Sequence, residues 1–148
     1  MKQGLFLISA MLFCVVATNA QRERKHKIED DGFEWYEIVI DHKKWGAEDK
    51  YGNTIIPAIH TSGSYAISCE IYETHKYFMV CDWDIATDKR SYGIYNRKGK
   101  CIIPVSRGYS WIEKSKHDEL PIGTYYRCWH GNKVCSLCDV NGQEMCTL

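Results

Sequence analysis

The densest group of reactive side chains lies in residues 128–138, which read CWHGNKVCSLC. Three cysteines and a histidine at this spacing could form a small zinc site, since thiolate and imidazole are the usual zinc ligands. The alternative is a β-hairpin with a two-residue Gly-Asn loop, which sets Cys128 directly opposite Cys135. Directly opposed residues on neighbouring strands lie within the distance that a disulfide spans. We therefore predict a Cys128–Cys135 disulfide and no metal, with Cys138 on the opposite face; separate, reduced thiols are the competing interpretation.

The other cysteines have several alternative partners. A loop around residues 74–76 would set Cys69 opposite Cys81, and Cys146 would lie diagonally from Cys138 on one face. An odd number of cysteines follows Cys14, and Cys101, which has no evident partner, is the predicted unpaired thiol. In an oxidising compartment, this density of cysteines indicates disulfide bonds.

Catalytic patterns are weak in this chain. The six histidines are scattered, and none stands in a local signature of a cysteine hydrolase. The Cys-x-x-Cys at residues 135–138 lies in a strand-like run with no helix after it, unlike a thiol oxidoreductase motif. Asp82 and Asp84 flank a tryptophan, but neighbouring carboxylates do not establish the opposed pair of a glycosidase. There is no phosphate-binding glycine loop. We predict no catalytic residues and no cofactor.

Aromatic residues are abundant, with 5 Trp and 10 Tyr. Aromatic side chains stabilise β-sheets by themselves, so many of them must belong to the core. Those that exceed what one small core can cover would form an exposed patch for a protein or a glycan. The candidate binding-surface aromatics are Trp83, Tyr109, Trp111 and Trp129.

The chain repeats one phrase, and this phrase predicts the elements that position these residues. Residues 45–57 read WGAEDKYGNTIIP, residues 92–104 read YGIYNRKGKCIIP, and residues 136–145 form a weaker third copy, SLCDVNGQEM. In each copy Asp or Asn followed three residues later by Gly predicts a three-residue turn between two strands. The predicted cross-strand apolar pairs are Ala47–Ile55, Ile94–Ile102 and Leu137–Met145.

A further strand-like run precedes each turn. These runs are residues 35–40, 77–81 and 125–129, and alternation over residues 64–72 suggests one more strand. No segment shows a long helical period. The predicted fold is all-β: antiparallel hairpin or meander repeats that form one small sheet-based domain, either an open barrel or a sandwich-like arrangement. After Pro57 and Pro104 the chain should leave the sheet or follow an edge, because proline cannot donate to a strand ladder.

The repeated phrase resembles the WG-repeat family of mainly bacterial proteins. The residues that carry the resemblance are Trp45-Gly46, Asp49, Gly52 and Ile55-Ile56-Pro57, and their counterparts Tyr92-Gly93, Asn96, Gly99 and Ile102-Ile103-Pro104. The similarity covers about two and a half divergent copies. It implies a β-rich repeat module without an established general activity, usually taken as a binding or scaffold part.

The N-terminal residues indicate export. Residues 1–20 combine an early lysine, an apolar run and a Thr-Asn-Ala end, which is typical of a cleaved signal peptide and too short for a spanning helix. Residues 21–32 are predicted as a flexible charged leader, and residues 33–148 as the WG-repeat-like domain. With 19 basic and 19 acidic residues, the chain lacks the charge of a nucleic-acid binder.

The sequence thus predicts a periplasmic or extracellular protein that is not integral to the membrane after signal cleavage. We expect a non-enzymatic binding or structural module with an unknown protein or glycan partner in the cell envelope. The alternatives are a secreted cysteine-containing hydrolase or thiol oxidoreductase, and a carbohydrate-binding module.

Overall fold

The computed structural model describes residues 20–66, 77–116 and 124–147, and this part of the chain contains twelve β-strands and one turn of 3-10 helix at Val105–Arg107. The strands are β1 (Arg22–Ile28), β2 (Glu34–Ile40), β3 (Lys44–Glu48), β4 (Thr54–His60), β5 (Ser62–Ala66), β6 (Tyr77–Asp84), β7 (Lys89–Asn96), β8 (Cys101–Ile103), β9 (Trp111–Lys116), β10 (Thr124–His130), β11 (Lys133–Asp139) and β12 (Glu144–Thr147). The predicted signal peptide, apart from its last residue, and Cys69 lie outside the described residues.

These strands form three four-stranded antiparallel sheets, and each sheet follows chain order: β1 to β4, β5 to β8, and β9 to β12. The predicted all-β antiparallel fold is confirmed. The sheets stay separate and do not close into a barrel. Pro57 lies in β4, at the edge of the first sheet, and Pro104 directly follows β8. Both positions suit proline, because it has no backbone N–H to donate to a strand ladder.

The predicted Asp-x-x-Gly turn forms in all three sheets. In the first, Asp49 Oδ1 accepts hydrogen bonds from the backbone N–H groups of Tyr51 and Asn53, both at 2.8 Å. Gly52 donates its own N–H to the Asp49 carbonyl and has the positive φ that favours glycine, +87°. The same bonds recur at Asn96 and Gly99 in the second sheet, and at Asp139 and Gly142 in the third.

The predicted pairing beyond the turn is wrong by one residue in every sheet. The observed pairs are Ala47–Ile56, Ile94–Ile103 and Leu137–Cys146. A β-bulge inserts one extra residue in the second strand, at Ile55, Ile102 and Met145 respectively, directly after the turn. The bulge turns the backbone of the extra residue out of the ladder.

The bulge of one sheet receives the turn of the next. A Cβ built on Gly99 would lie 2.4 Å from the Ile55 carbonyl oxygen, and one on Gly142 would lie 1.9 Å from the Ile102 carbonyl oxygen. Gly52, in the first sheet, has nothing within 4 Å of the same position. Successive sheets therefore meet through backbone contacts that leave no room for a side chain.

Two hydrophobic clusters fill the spaces between sheets. Between the first and second sheets, Trp35 packs edge-on against Phe78, with ring centroids 5.1 Å apart. Between the second and third sheets, Tyr77 packs edge-on against Tyr126 at 5.8 Å, next to the buried cysteines Cys128 and Cys138. One hydrophobic core thus lies between the first and second sheets, and another lies between the second and third sheets.

Residues 22–28 form β1 and not the predicted flexible leader. The strand is exposed, but its backbone pairs with β2 along its whole length. Arg22 forms an ion pair with Glu48, and the Arg24 guanidinium carbon lies 3.4 Å from the centroid of the Tyr36 ring. Backbone pairing and these long side chains hold the strand without an apolar face, which is why hydrophobic patterning gave no sign of it.

Candidate functional site

Trp83 anchors an exposed aromatic surface at the end of the second sheet. It pairs across the strands with Arg90, whose guanidinium carbon lies 5.1 Å from the Trp83 ring centroid. The indole Nε1 donates a hydrogen bond of 3.0 Å to Asp88 Oδ1. Trp83 is 39% exposed. Two partners thus fix the orientation of an indole that faces solvent.

The surface continues onto the third sheet. Tyr92 follows Arg90 by two residues and so lies on the same face of β7. Its ring packs edge-on against Trp111 at 5.1 Å, and Trp111 is 45% exposed. Burial raises the pKa of the Tyr92 hydroxyl above its ordinary value. We call Trp83, Arg90, Tyr92 and Trp111 the aromatic strip.

The other two predicted aromatics lie elsewhere. Tyr109 is buried at 5% exposure, and its hydroxyl lies 2.9 Å from Ser136 Oγ. Trp129 is half-buried and pairs with Trp111 across β9 and β10. Tyr109 therefore packs the core, while Trp129 supports the strip from the neighbouring strand.

The register expected for the Cys128–Cys135 disulfide is wrong. His130 pairs with Lys133 and Trp129 with Val134, as the two-residue loop predicts, but a bulge then shifts the ladder and Cys128 pairs with Ser136. The Cys135 thiol donates to the Cys128 carbonyl oxygen at 3.2 Å, and both thiols are free.

The sulfur in contact with Cys128 is that of Cys138. The prediction that Cys138 lies on the opposite face is wrong, because the two Sγ atoms are 3.8 Å apart and both residues are fully buried. Arg107 Nη1 donates to Cys138 Sγ at 3.4 Å. The hydrogen bond from the Cys128 thiol, supported by the Arg107 charge, lowers the pKa of Cys138. Donating that bond, together with burial, raises the pKa of Cys128.

A related contact joins the first and second sheets. His60 is 2% exposed, with Nδ1 at 3.2 Å from Asp82 Oδ1 and Nε2 at 3.3 Å from the Tyr95 hydroxyl. Burial, with a smaller contribution from the neighbouring Cys101 thiol, raises the pKa of Tyr95 to about 12. Cys101, the predicted unpaired thiol, is free and exposed.

The two contacts occupy equivalent places in the repeat. His60 and Arg107 each stand three residues after the proline of Ile-Ile-Pro, and Tyr95 and Cys138 each directly precede the turn residue of the next sheet. The equivalent spacing of these residues can be read from the sequence. Only the structure shows that a residue after the proline of one sheet contacts the residue before the turn of the next. The imidazole of His60 thereby bonds a carboxylate and a phenol, which gives it a role in joining the sheets.

The aromatic strip joins exposed aromatic rings to an arginine side chain. Tryptophan, tyrosine and arginine are the residues that most often dominate binding energy at protein interfaces.

Among the described residues no group of three or more His, Cys, Asp or Glu side chains could hold a metal ion. No helix in the described ranges is long and apolar enough to cross a membrane.

Comparisons with known proteins give no assignment. No family model matches the chain, and neither the curated proteins nor the solved structures contain a match.

Proposed function

We propose that this chain is an exported, non-enzymatic repeat module that binds a protein of the cell envelope through the aromatic strip. The observation that carries the proposal is the continuous surface of Trp83, Arg90, Tyr92 and Trp111 across two sheets, with both indoles exposed. A surface that joins large rings to an arginine has the composition of a protein-binding hot spot.

The WG-repeat-like character is part of the same proposal. A Cβ on Gly46 would lie 2.7 Å from the backbone of Ala58, and one on Gly93 would lie 2.8 Å from the Ile103 carbonyl oxygen. The aromatic-Gly pair of the repeated phrase therefore lets a strand approach closely in both sheets. These glycines build the scaffold, which leaves recognition to residues that differ between copies.

The rigidity of the strip supports recognition without chemistry. The Trp83 indole is held by Asp88 and Arg90, and Trp111 is held by Tyr92, so little side-chain entropy is lost when a partner covers them. The strip itself contains no nucleophile beside a base.

Binding is tested with the double variant Trp83→Ala/Trp111→Ala. The matched control is Tyr51→Ala, since Tyr51 is 78% exposed on the turn of the first sheet, away from the strip. Cross-linking to envelope extract, followed by affinity measurement with the captured protein, should show a loss of about 30-fold or more for the double variant, as expected for a hot spot.

Equal capture by the wild type and the double variant would refute the strip as the binding surface. Tryptophan-dependent retention on a glycan array, without protein capture, would replace the protein partner with a carbohydrate. Export is tested separately by sequencing the N-terminus of the secreted chain, which should begin at Gln21; a retained Met1 would contradict it.

A further inference from the structure

Two buried sulfurs face each other between β10 and β11. Cys128 pairs with Ser136 and Cys138 pairs with Tyr126, so the two cysteines are diagonal neighbours on one face of the third sheet. Their Sγ atoms are 3.8 Å apart. A disulfide bond is about 2.05 Å long, so closure requires the sulfurs to approach by less than about 2 Å.

The surroundings give the two cysteines different roles. Arg107 donates to Cys138 Sγ, and the Cys128 thiol donates to the same sulfur. Both contacts stabilise a thiolate on Cys138. Burial of the sulfur and the Glu144 carboxylate, which pairs with Cys138 across β11 and β12, oppose them. Cys138 is therefore placed to be the nucleophile that attacks the oxidant. Cys128 is placed to be the second thiol, which attacks the oxidised Cys138 sulfur.

A cavity of about 340 Å³ lies beside this pair, and neither Cys128 nor Cys138 is itself part of its lining. Its lining includes Arg107, which touches Cys138, and Cys135, whose thiol bonds the Cys128 carbonyl. A cavity of this size accommodates a small oxidant but not a folded protein. An oxidant that enters it meets the guanidinium that holds the Cys138 sulfur.

We propose that Cys128 and Cys138 form a peroxide-reactive dithiol that closes to an intramolecular disulfide. In the first step the Cys138 thiolate attacks one oxygen of hydrogen peroxide, the O–O bond breaks, and Cys138 becomes a sulfenic acid. The leaving hydroxide takes up a proton and becomes water. This proton balances the one that Cys138 lost when its thiol ionised.

In the second step Cys128 Sγ attacks the Cys138 sulfur. The S–O bond breaks, the S–S bond forms, and the departing hydroxide takes the Cys128 proton to become a second water. One peroxide is thus reduced to two waters while two thiols are oxidised to one disulfide. Neither Cys135 nor an exposed cysteine takes part.

The test treats the reduced full chain with one equivalent of hydrogen peroxide and maps its peptides without reduction. The expected product is the Cys128–Cys138 cross-link, formed before oxidation of the exposed Cys101 and Cys146. A Cys128–Cys135 cross-link, or earlier oxidation of the exposed thiols, would overturn the proposal. Because this test needs no variant, it stands even where a core substitution fails to fold.

Variants then separate the roles. Cys128→Ser should stop at a sulfenic acid on Cys138, trapped by a dimedone-type reagent, and Cys146→Ser is the matched control that should still form the cross-link. Arg107→Gln should slow thiol loss by about tenfold for each unit by which the Cys138 pKa rises. An unchanged rate in Arg107→Gln, or a sulfenic acid on Cys128 in place of Cys138, would contradict the assigned roles.

Discussion

Alanine at the three turn glycines should have unequal effects, because these glycines share a backbone conformation but differ in what surrounds them. Gly52, Gly99 and Gly142 have φ values of +87°, +83° and +81°. Each alanine variant therefore incurs the same cost of a left-handed conformation, about 1 to 2 kcal/mol. Any difference between the variants reports the packing between sheets.

The packing term follows from the positions of the carbonyl oxygens. At Gly52 the added methyl group meets nothing within 4 Å, so Gly52→Ala should lose only about 1 to 2 kcal/mol of unfolding free energy. At Gly99 the methyl would lie 2.4 Å from the Ile55 oxygen, and forced overpacking costs about 1 to 3 kcal/mol more. Gly99→Ala should therefore lose about 2 to 5 kcal/mol in total. Gly142→Ala, at 1.9 Å from the Ile102 oxygen, should lie at the upper end of that range.

Urea unfolding followed by tryptophan fluorescence measures these losses. The decisive quantity is the free energy of unfolding of Gly99→Ala or Gly142→Ala minus that of Gly52→Ala, since the conformational cost cancels in this difference. Equal stabilities for the three variants, within about 0.5 kcal/mol, would refute the contact between turn and bulge. A larger loss at Gly52 than at Gly99 would contradict it as well.

Two more predictions concern buried polar groups. Burial raises the pKa of Tyr65 and Tyr95 to about 12, so the stability linked to these phenols is complete below the ordinary tyrosine pKa and is lost as pH rises towards 12. The near-ultraviolet titration should show a late phenolate step that shrinks in Tyr65→Phe and Tyr95→Phe; a single step at the ordinary pKa would contradict this. His60→Ala should lose about 2 to 4 kcal/mol in urea unfolding because it leaves a cavity and removes the partner of Asp82 and Tyr95. His42→Ala, at an exposed site, is its control, and equal losses would argue against the buried contact.

The turns could be predicted from the sequence because their chemistry is local. Asp49 and Gly52 satisfy each other's backbone within one short loop, and no distant residue is needed. The all-β class followed for a similar reason, since aromatic and β-branched runs such as residues 35–40 favour strands wherever they pack.

The pairing beyond the turn was predicted from apolar alternation alone, and this alternation does not show the bulge. The bulge meets the turn of the next sheet at Ile55 and Ile102, but it also forms at Met145 in the third sheet, so it belongs to the hairpin itself. A second bulge beside Cys128 moved Cys135 out of register and brought Cys138 to its sulfur. Among the candidate aromatics, Trp83 and Trp111 are exposed and stand near strand ends, whereas Tyr109, which follows the 3-10 turn, is buried.

The joint between successive sheets has a consequence for how such a chain can change over time. It is made by a glycine on one side and a carbonyl oxygen on the other, and every amino acid supplies that oxygen. The joint therefore does not select the side chains at Ile55 and Ile102, which are kept apolar by the hydrophobic clusters that they pack against. Within the limits set by those clusters, the side chains at the joint can change while the spacing of the glycines keeps the sheets stacked.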